Sequence, residues 1–145
     1  MPESVGSAGS GFEVPYREAN GNAVKIERFE EIEAWKEARV LASELYSLVS
    51  STSLGKDFVL RDQIQAAAVS IMANIAEGFD GRSNQEFIRF LGYAFRSATE
   101  LQSHLYVTLD RQYFSQESFD ALYERAAATK KLINGFIRYL RTVKP

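Results

Sequence analysis

The stretch Gln63–Gly78, QIQAAAVSIMANIAEG, decides the fold of this chain. It carries no charged residue before Glu77 and is built mainly from Ala, Ile, Val, Ser and Asn. A helix at the surface of a globular protein normally shows one apolar stripe and one charged face. This segment is apolar or small all the way round, and it is shorter than the roughly 20 residues that span a bilayer. It therefore predicts the central helix of a bundle, covered on several sides, in a position that also allows contact with a partner subunit.

A first amphipathic helix precedes this stretch. It is predicted to open at Phe29 and to end in the Ser/Thr run at 50–53, and the central helix is predicted to begin near Leu60 and to end at Gly78. The apolar residues of the first helix recur at spacings of three and four, which places them on one face. That predicted buried face consists of Ile32, Trp35, Ala38, Ala42, Leu45 and Val49.

Two further helices follow, each with a start signal. Ser83 and Glu86 stand at the spacing of a capping box, in which each side chain bonds the other's backbone amide. Ser115 opens the last helix, with Phe114 and Phe119 placed to form a hydrophobic staple. The predicted buried stripe of the third helix is Phe87, Phe90, Leu91, Ala94, Ala98, Leu101, Leu105 and Leu109, and that of the fourth is Phe119, Leu122, Ala126, Leu132 or Ile133, Phe136 and Leu140.

The short connections between these helices predict antiparallel neighbours. The predicted fold class is therefore all-α, an antiparallel up-down-up-down four-helix bundle over residues 29–143. Residues 1–28 differ, since they contain the Gly/Ser-rich run SVGSAGSG and are interrupted by Pro15 and Gly21. They predict a flexible N-terminal tail, disordered or loosely docked, with a strand-like piece at Ala23–Ile26.

The bulk composition excludes several classes of protein. The chain has 145 residues, a formal net charge of −2 and no cysteine. This length fits one domain, and the net charge is unlike that of a strongly basic nucleic-acid binder. Without cysteine there are no disulfides and no thiolate metal sites, which fits a cytoplasmic location. Pro2 and Glu3 follow Met1 in place of basic residues and an apolar run, so we expect no secretory signal, and no segment predicts a membrane span.

Charge is distributed unevenly along the chain. Residues 30–81 carry four basic and nine acidic side chains, whereas residues 82–145 carry ten basic and six acidic ones. One interpretation is that antiparallel helices present complementary faces to each other, within a subunit or between subunits. The other interpretation is a basic surface for an anionic partner.

The central stretch also carries a family signature. It consists of Gln63, Ile64, 67–71 and 73–78, with flanking matches at Trp35, Ala38, Arg82, Ser83, Glu86, Phe87, Arg89, Phe90, Leu91, Ala94, Ser97, Glu100 and Leu101. On these residues, and over about 29–141, the chain resembles the "four helix bundle protein" family. These proteins are also called 23S rRNA intervening-sequence proteins, or S23-type.

The resemblance implies a bundle that assembles into a homo-oligomeric ring, typically a pentamer, with no established enzymatic activity. The implied fold is also similar to basic accessory proteins of diversity-generating retroelements, which bind a reverse transcriptase and nucleic acid. Two departures stand out. Gln65 and Ala66 occupy the place of the family's usual basic pair, and Met72 occupies that of a frequent proline. The first departure removes positive charge from that surface.

Two polar residues interrupt the apolar stretch. Asn74 and Glu77 stand three residues apart on one helix face, and Arg82 follows shortly after. We interpret Asn74, Glu77 and Arg82 as a structural polar motif, because buried polar groups need partners. Glu77 is expected to pair with Arg82 or Arg89, and Asn74 is expected to bond to another helix. The alternative is a ligand or interface site at this end of the bundle. Predicted positions for helix packing or oligomer contact are Ala67, Ser70, Ile71 and Ala73.

Cationic side chains are spaced along the last two helices. Arg89 and Arg96 are one heptad apart on the third helix, Lys131 and Arg138 are one heptad apart on the fourth, and Arg141 lies close by. Such stripes suit phosphate contacts. They equally suit salt bridges to the acidic first helix, or simple solvation. The candidate nucleic-acid contacts are Arg89, Arg96, Lys131, Arg138 and Arg141.

The sequence favours a binding or structural role over catalysis. Di-iron bundles need a Glu-x-x-His motif on each of two helices, and this chain has one histidine, His104, a helical turn from Glu100. We predict no catalytic residue, no metal and no cofactor. The leading hypothesis is a non-enzymatic, homo-oligomeric scaffold or accessory protein. The alternative is an accessory module that binds RNA or another nucleic acid through the basic stripes of helices three and four.

Overall fold

A computed structural model describes residues 12–17 and 23–143 of the chain. Strands β1 (Phe12–Arg17) and β2 (Ala23–Ile26) come first. The helices are α1 (Glu33–Ser51), α2 (Phe58–Phe79), α3 (Asn84–Asp110) and α4 (Gln116–Thr142). Single 3₁₀ turns over Phe29–Glu31 and Ser53–Lys56 precede α1 and α2. Across this described part of the chain, no helix is both long and apolar enough to cross a membrane.

The predicted four-helix bundle is confirmed, and two of its helices begin where the start signals place them. The Ser83 hydroxyl accepts a hydrogen bond from the Glu86 amide at 3.1 Å. The Ser115 hydroxyl accepts one from the Ser118 amide, also at 3.1 Å. Each hydroxyl satisfies an amide that the helix itself leaves without a partner.

The other two helix starts differ from the prediction. α1 begins at Glu33 rather than at Phe29, because Ile32 has an extended backbone (φ −75°, ψ 124°) and buries its side chain in the core. α2 begins at Phe58 rather than near Leu60. Its cap is a carboxylate, since Asp57 Oδ1 accepts a hydrogen bond from an amide of the first turn at 3.2 Å.

Contacts between α2 and α3 show that these helices are antiparallel. The Tyr113 hydroxyl, just beyond the end of α3, donates to Asp57 Oδ2 at the start of α2, at 2.9 Å. Farther along, the hydroxyl oxygens of Ser70 and Ser97 lie 2.9 Å apart. As the residue number increases along α2, the number of the partner residue on α3 decreases, so the two helices run in opposite directions.

The pair α3 and α4 is antiparallel by the same reasoning. The rings of Phe87 and Phe136 lie 5.2 Å apart, and those of Tyr106 and Phe119 lie 4.9 Å apart. α1 packs against both α2 and α4, so the four helices form a closed square in chain order. α2 and α4 therefore stand on one diagonal of the square.

The core is the shared inner face of the four helices. The predicted stripes are buried there, except that Trp35, Phe90 and Leu109 are only half-buried. On α4 the choice between two neighbours is settled, because Ile133 is fully buried whereas Leu132 is 38% exposed. Large side chains in the centre of this core are Leu41, Leu45, Ile64, Ile71, Ile75, Phe87, Leu91, Leu101 and Leu105.

A two-stranded hairpin precedes the bundle. β1 pairs antiparallel with β2, and Phe12 lies opposite Ile26. Ile26 joins the hydrophobic core, and β1 lies beside α4. The strand-like pattern at Ala23–Ile26 coincides with β2. The predicted boundary between tail and bundle at residue 29 stays a prediction, and residues 1–11 and 18–22 of that tail lie outside the described residues.

Candidate functional site

The outward side of α2 is uncovered in the single subunit. Its inner side chains are fully buried, but Val59 is 74% exposed, Val69 is 43% exposed and Ala66 is exposed as well. Together with the half-buried Ala73, these residues define what we call the α2 outer face. The expectation that this helix is covered on several sides therefore holds on the sides that pack against α1 and α3, and the side away from the core stays open.

The α2 outer face lacks the charge that such a surface normally carries. Between Asp62 and Glu77 the helix has no ionisable side chain, whereas the solvent face of an amphipathic helix is usually charged or polar. Phe58, at the start of the helix, is 63% exposed, and the Arg61 guanidinium lies 4.8 Å from its ring centroid. The arrangement is typical of a surface that another molecule covers.

Three polar side chains lie at the seam between α2 and α3. The Ser70 hydroxyl bonds the Ser97 hydroxyl at 2.9 Å. Asn74 Nδ2 donates to the Ser70 hydroxyl at 3.0 Å and to the Ser70 carbonyl at 2.8 Å. The prediction that Asn74 bonds to another helix is therefore wrong, because its amide donates to Ser70, one turn earlier in α2 itself. The link between helices is made by the two serines.

The expected ion pair of Glu77 is not formed within the subunit. Glu77 and Arg82 are both exposed, and neither makes a salt bridge with any residue in 12–17 or 23–143. Arg89 pairs instead with Glu86, whose hydrogen bond raises the pKa of the Arg89 guanidinium above its usual value. Because Glu86 turns toward Arg89, the capping box has only its Ser83 half.

The predicted packing positions divide between two sides of α2. Ala67 and Ile71 are buried in the subunit's own core. Ser70 lies at the seam with α3, and Ala73 belongs to the α2 outer face. Helix packing within the subunit therefore uses Ala67, Ser70 and Ile71, and only Ala73 of this set is placed to meet another molecule.

The five predicted nucleic-acid contacts are all exposed, on the outward sides of α3 and α4. Arg89 is engaged with Glu86, while Arg96, Lys131, Arg138 and Arg141 have no carboxylate partner among the described residues. The surrounding segments are one-sided in charge: residues 87–99 and 127–143 contain six basic side chains and no acidic one. We call this surface the α3–α4 basic face.

One ionic cluster was not predicted. Arg125 on α4 reaches two carboxylates of α1, with Nη1 2.9 Å from Glu37 Oε1 and Nε 3.0 Å from Glu44 Oε1. Hydrogen bonding to Glu37, and then to Glu44, raises the pKa of Arg125. The heptad spacing of the two glutamates on the acidic first helix was the available signal. This cluster accounts for part of the charge asymmetry between the two halves of the chain.

A groove of about 490 Å³ runs along α1 beside this cluster. It is walled by Trp35, Arg39, Val40 and Ser43, and the Arg39 guanidinium lies 5.7 Å from the Trp35 ring centroid. Trp35 also packs edge-on against Phe29, with ring centroids 5.2 Å apart. It therefore both anchors the start of α1 and lines the groove.

A second unpredicted contact joins α3 and α4. Lys130 Nζ donates to Gln102 Oε1 at 2.9 Å and lies 4.8 Å from the Phe95 ring centroid. Gln102, which is buried, donates in turn to the Tyr123 carbonyl at 3.4 Å. Each buried polar atom in this chain of contacts has a partner, so it reads as structure rather than as a binding site.

The single histidine contacts the glutamate one helical turn before it. His104 Nε2 lies 3.2 Å from Glu100 Oε2. Among residues 12–17 and 23–143 there is no group of three or more His, Cys, Asp or Glu side chains placed to hold a metal ion.

Comparison with known proteins gives two findings. The family profile described as "23S rRNA-intervening sequence protein" matches residues 30–135. A crystal structure of a protein with unknown function from the S23 ribosomal protein family of Bacteroides thetaiotaomicron is similar, with a TM-score of 0.68 and 24% identity. The match covers 72% of this chain and 95% of that one, and at this identity it shows the fold alone. No curated protein sequence matches the chain.

Proposed function

This chain belongs to the 23S rRNA-intervening sequence protein family, and from that premise we propose that it is a non-enzymatic scaffold or accessory protein that works as a homo-oligomer. The expected assembly is a closed ring, with five subunits as the size that the family resemblance implies. The expected location is the cytoplasm. The solved relative carries the description "unknown function", so the proposal rests on this chain's own surfaces.

The observation that carries the proposal is the α2 outer face. A neutral stripe of Val and Ala between Asp62 and Glu77 is solvated in a lone subunit. Covering one valine fully contributes roughly 2 kcal/mol. A second copy of the chain is the simplest partner that is always present when the protein is, and repeated use of one such contact closes a ring.

The chemistry of the polar side chains supports a role without catalysis. The Ser70 hydroxyl is held by Ser97 and Asn74, and no histidine or carboxylate of the described residues contacts it to activate it. His104 is bonded to Glu100, one turn away on the same helix. A nucleophile needs an adjacent base, and neither group has that relation to the other.

Neighbouring alanines on α2 provide a matched test. Ala66→Glu places a charge on the α2 outer face, whereas Ala67→Glu places one in the core, where Ala67 is 3% exposed. We expect Ala66→Glu to keep its helical circular dichroism and to lose the oligomer in light scattering. Ala67→Glu should lose the fold itself, because a buried charge without a partner is strongly destabilising. A wild-type protein that scatters as a monomer at micromolar concentration would overturn the proposal.

The second candidate function is nucleic-acid binding by the α3–α4 basic face. It is favoured by the six cations without an acidic neighbour in residues 87–99 and 127–143, four of them exposed and without an ion-pair partner in the described residues. Tyr93, which is 39% exposed, could stack on a base.

A salt titration tests this second candidate. Binding to single-stranded RNA should weaken with salt at a slope of about −0.7 per phosphate contact. Lys131→Glu should weaken binding and flatten the slope, whereas Lys56→Glu, at the other end of the bundle, should change neither. Equal binding by the wild type and Lys131→Glu, or no binding at low salt, would exclude this function.

A further inference from the structure

Near one end of the bundle, a charge on α2 and a charge on α4 lie at the same level along the bundle axis. A Cβ atom added to Gly78 would lie 2.8 Å from the Phe87 ring, and the rings of Phe87 and Phe136 are 5.2 Å apart. Residues 78, 87 and 136 therefore stand at one level along the bundle. Glu77 comes directly before Gly78 and Arg138 shortly after Phe136, so these two charges occupy the same level.

The two charges have opposite sign and lie on helices that do not pack against each other. Glu77 and Arg138 are both exposed, and within the described ranges neither makes an ion pair. Their helices, α2 and α4, stand on one diagonal of the square. Glu77 therefore has no means of reaching Arg138 in its own subunit.

A rotation about an axis parallel to the bundle changes this relation. Such a rotation moves no residue along the axis, so residues at one level on different sides of the subunit meet across a head-to-tail contact. Resting on the homo-oligomer proposed above, we propose that the α2 outer face of one copy docks on the α3–α4 basic face of the next copy, with Glu77 paired to Arg138 of that neighbour.

The charges of the two surfaces match this arrangement. From Asp62 to Asp80 the only charged side chains of α2 and its end are carboxylates, and Glu77 and Asp80 lie near the level of Phe87 and Phe136. The stretch 127–143 on α4 carries four cations and no carboxylate. Contact between these two surfaces joins opposite charges, and complementary potentials set the orientation of an interface.

The alternative symmetric contact is disfavoured by the same charges. A two-fold axis parallel to the bundle would place the α2 outer face of one copy on that of another. Glu77 would then face Glu77 of the second copy, and like charges brought together at an interface cost affinity. The cation-rich face would also remain without a partner. The head-to-tail contact satisfies both surfaces.

A charge swap tests the pair. Glu77→Arg and Arg138→Glu should each raise the subunit dissociation constant at least about tenfold, and the double variant should restore the wild-type mass in light scattering. Matched reversals at exposed positions outside both surfaces, Arg111→Glu just beyond α3 and Glu33→Arg on α1, should leave the mass unchanged. Single reversals that keep the wild-type mass, or a double variant that does not regain it, would overturn the proposal.

Cysteine cross-linking gives a second test that does not depend on the stability of the reversals. The chain has no cysteine of its own, so Glu77→Cys combined with Arg138→Cys should yield a ladder of disulfide-linked multimers under oxidation. Each single cysteine variant should stay uncrosslinked. A single variant that forms dimers indicates the two-fold contact, and a double variant without a ladder contradicts the head-to-tail one.

The two proposals fail in different ways. A monomeric wild type overturns both the oligomer and the pair. An oligomeric wild type without the ladder overturns only the pair. If Arg138→Glu loses RNA affinity but keeps its mass, the basic face serves nucleic acid, and the pair with Glu77 is wrong.

Discussion

At the scale of single residues, Gly78 shows how closely α2 and α3 approach. A Cβ atom there would lie 2.8 Å from Phe87 Cδ1 and 2.9 Å from Phe90 Cβ. No side chain fits at those distances without moving a buried ring. The glycine that ends the signature stretch is thus required by packing, since it lies inside the helix rather than at a turn.

Gly78→Ala should therefore destabilise the protein. Overpacking of this kind costs about 1–3 kcal/mol, measurable as a lower urea midpoint with unchanged slope. Gly92 is the matched control, because it also lies inside a helix but has no heavy atom within 4 Å of an added Cβ. Gly92→Ala should raise stability by up to about 1 kcal/mol through helix propensity. Equal effects of the two substitutions would contradict this account.

At the scale of helices, the bundle is tied together by a few polar contacts as well as by its core. Arg125 joins α4 to two carboxylates of α1, and its planar guanidinium bonds them through separate nitrogens. A lysine would keep the charge and lose this geometry. The side chains involved are about one-third exposed or more, so solvent screens the pair and limits its contribution.

Arg125→Lys should lower the free energy of unfolding by about 1 kcal/mol. Arg96→Lys, an exposed position on α3 without an ion-pair partner in the described residues, is the control and should leave stability unchanged. Chemical denaturation of the two variants in parallel provides the measurement. A loss for Arg125→Lys no larger than that of the control would show that the cluster is solvated rather than stabilising.

The helices also show what the sequence could and could not predict. Ser83 and Ser115 were recognised as caps because a hydroxyl before an apolar run acts locally. The Asp57 cap was missed, since Asp57 sits among turn residues that give no periodic signal. Arg125 and its carboxylate partners are more than 80 positions apart. The heptad spacing of the two glutamates places them on one face of α1, but no local pattern pairs them with Arg125, because that contact forms only when α1 and α4 pack together.

The candidate surfaces follow the same division. Heptad spacing predicted that the cations of each helix share one face, and the structure leaves these side chains exposed. The partners of Asn74 and Glu77 were predicted wrongly, because polar and charged side chains within an apolar stretch were expected to be buried. The fold leaves Glu77 outside the core and turns Asn74 back onto Ser70.

At the scale of the whole molecule, the lone subunit has two faces that differ in kind. One is neutral and apolar along α2, and the other is cationic along α3 and α4. Neither face is explained by the core of one subunit. In the proposed ring, the α2 outer face of each copy contacts the α3–α4 basic face of the next copy, so one type of contact covers both surfaces.

An oligomer of this kind makes thermal stability depend on concentration. Raising the wild-type concentration a hundredfold should raise the melting temperature by about 5 °C, because association stabilises the folded state by mass action. Ala66→Glu is the control, and its melting temperature should not move with concentration. A wild-type melting temperature that is constant over this range would show that folding is not coupled to assembly.

The hydroxyl pair between Ser70 and Ser97 has a consequence for how the bundle forms. A shift of α2 along α3 by one helical turn would change which side chains lie opposite each other. One turn from Ser97 lie Tyr93 and Leu101, and opposite either of them the Ser70 hydroxyl would lose its partner on α3. The two serines thus contribute little to the free energy of packing between α2 and α3. They do favour the native alignment of the two helices over alignments that are shifted by one turn.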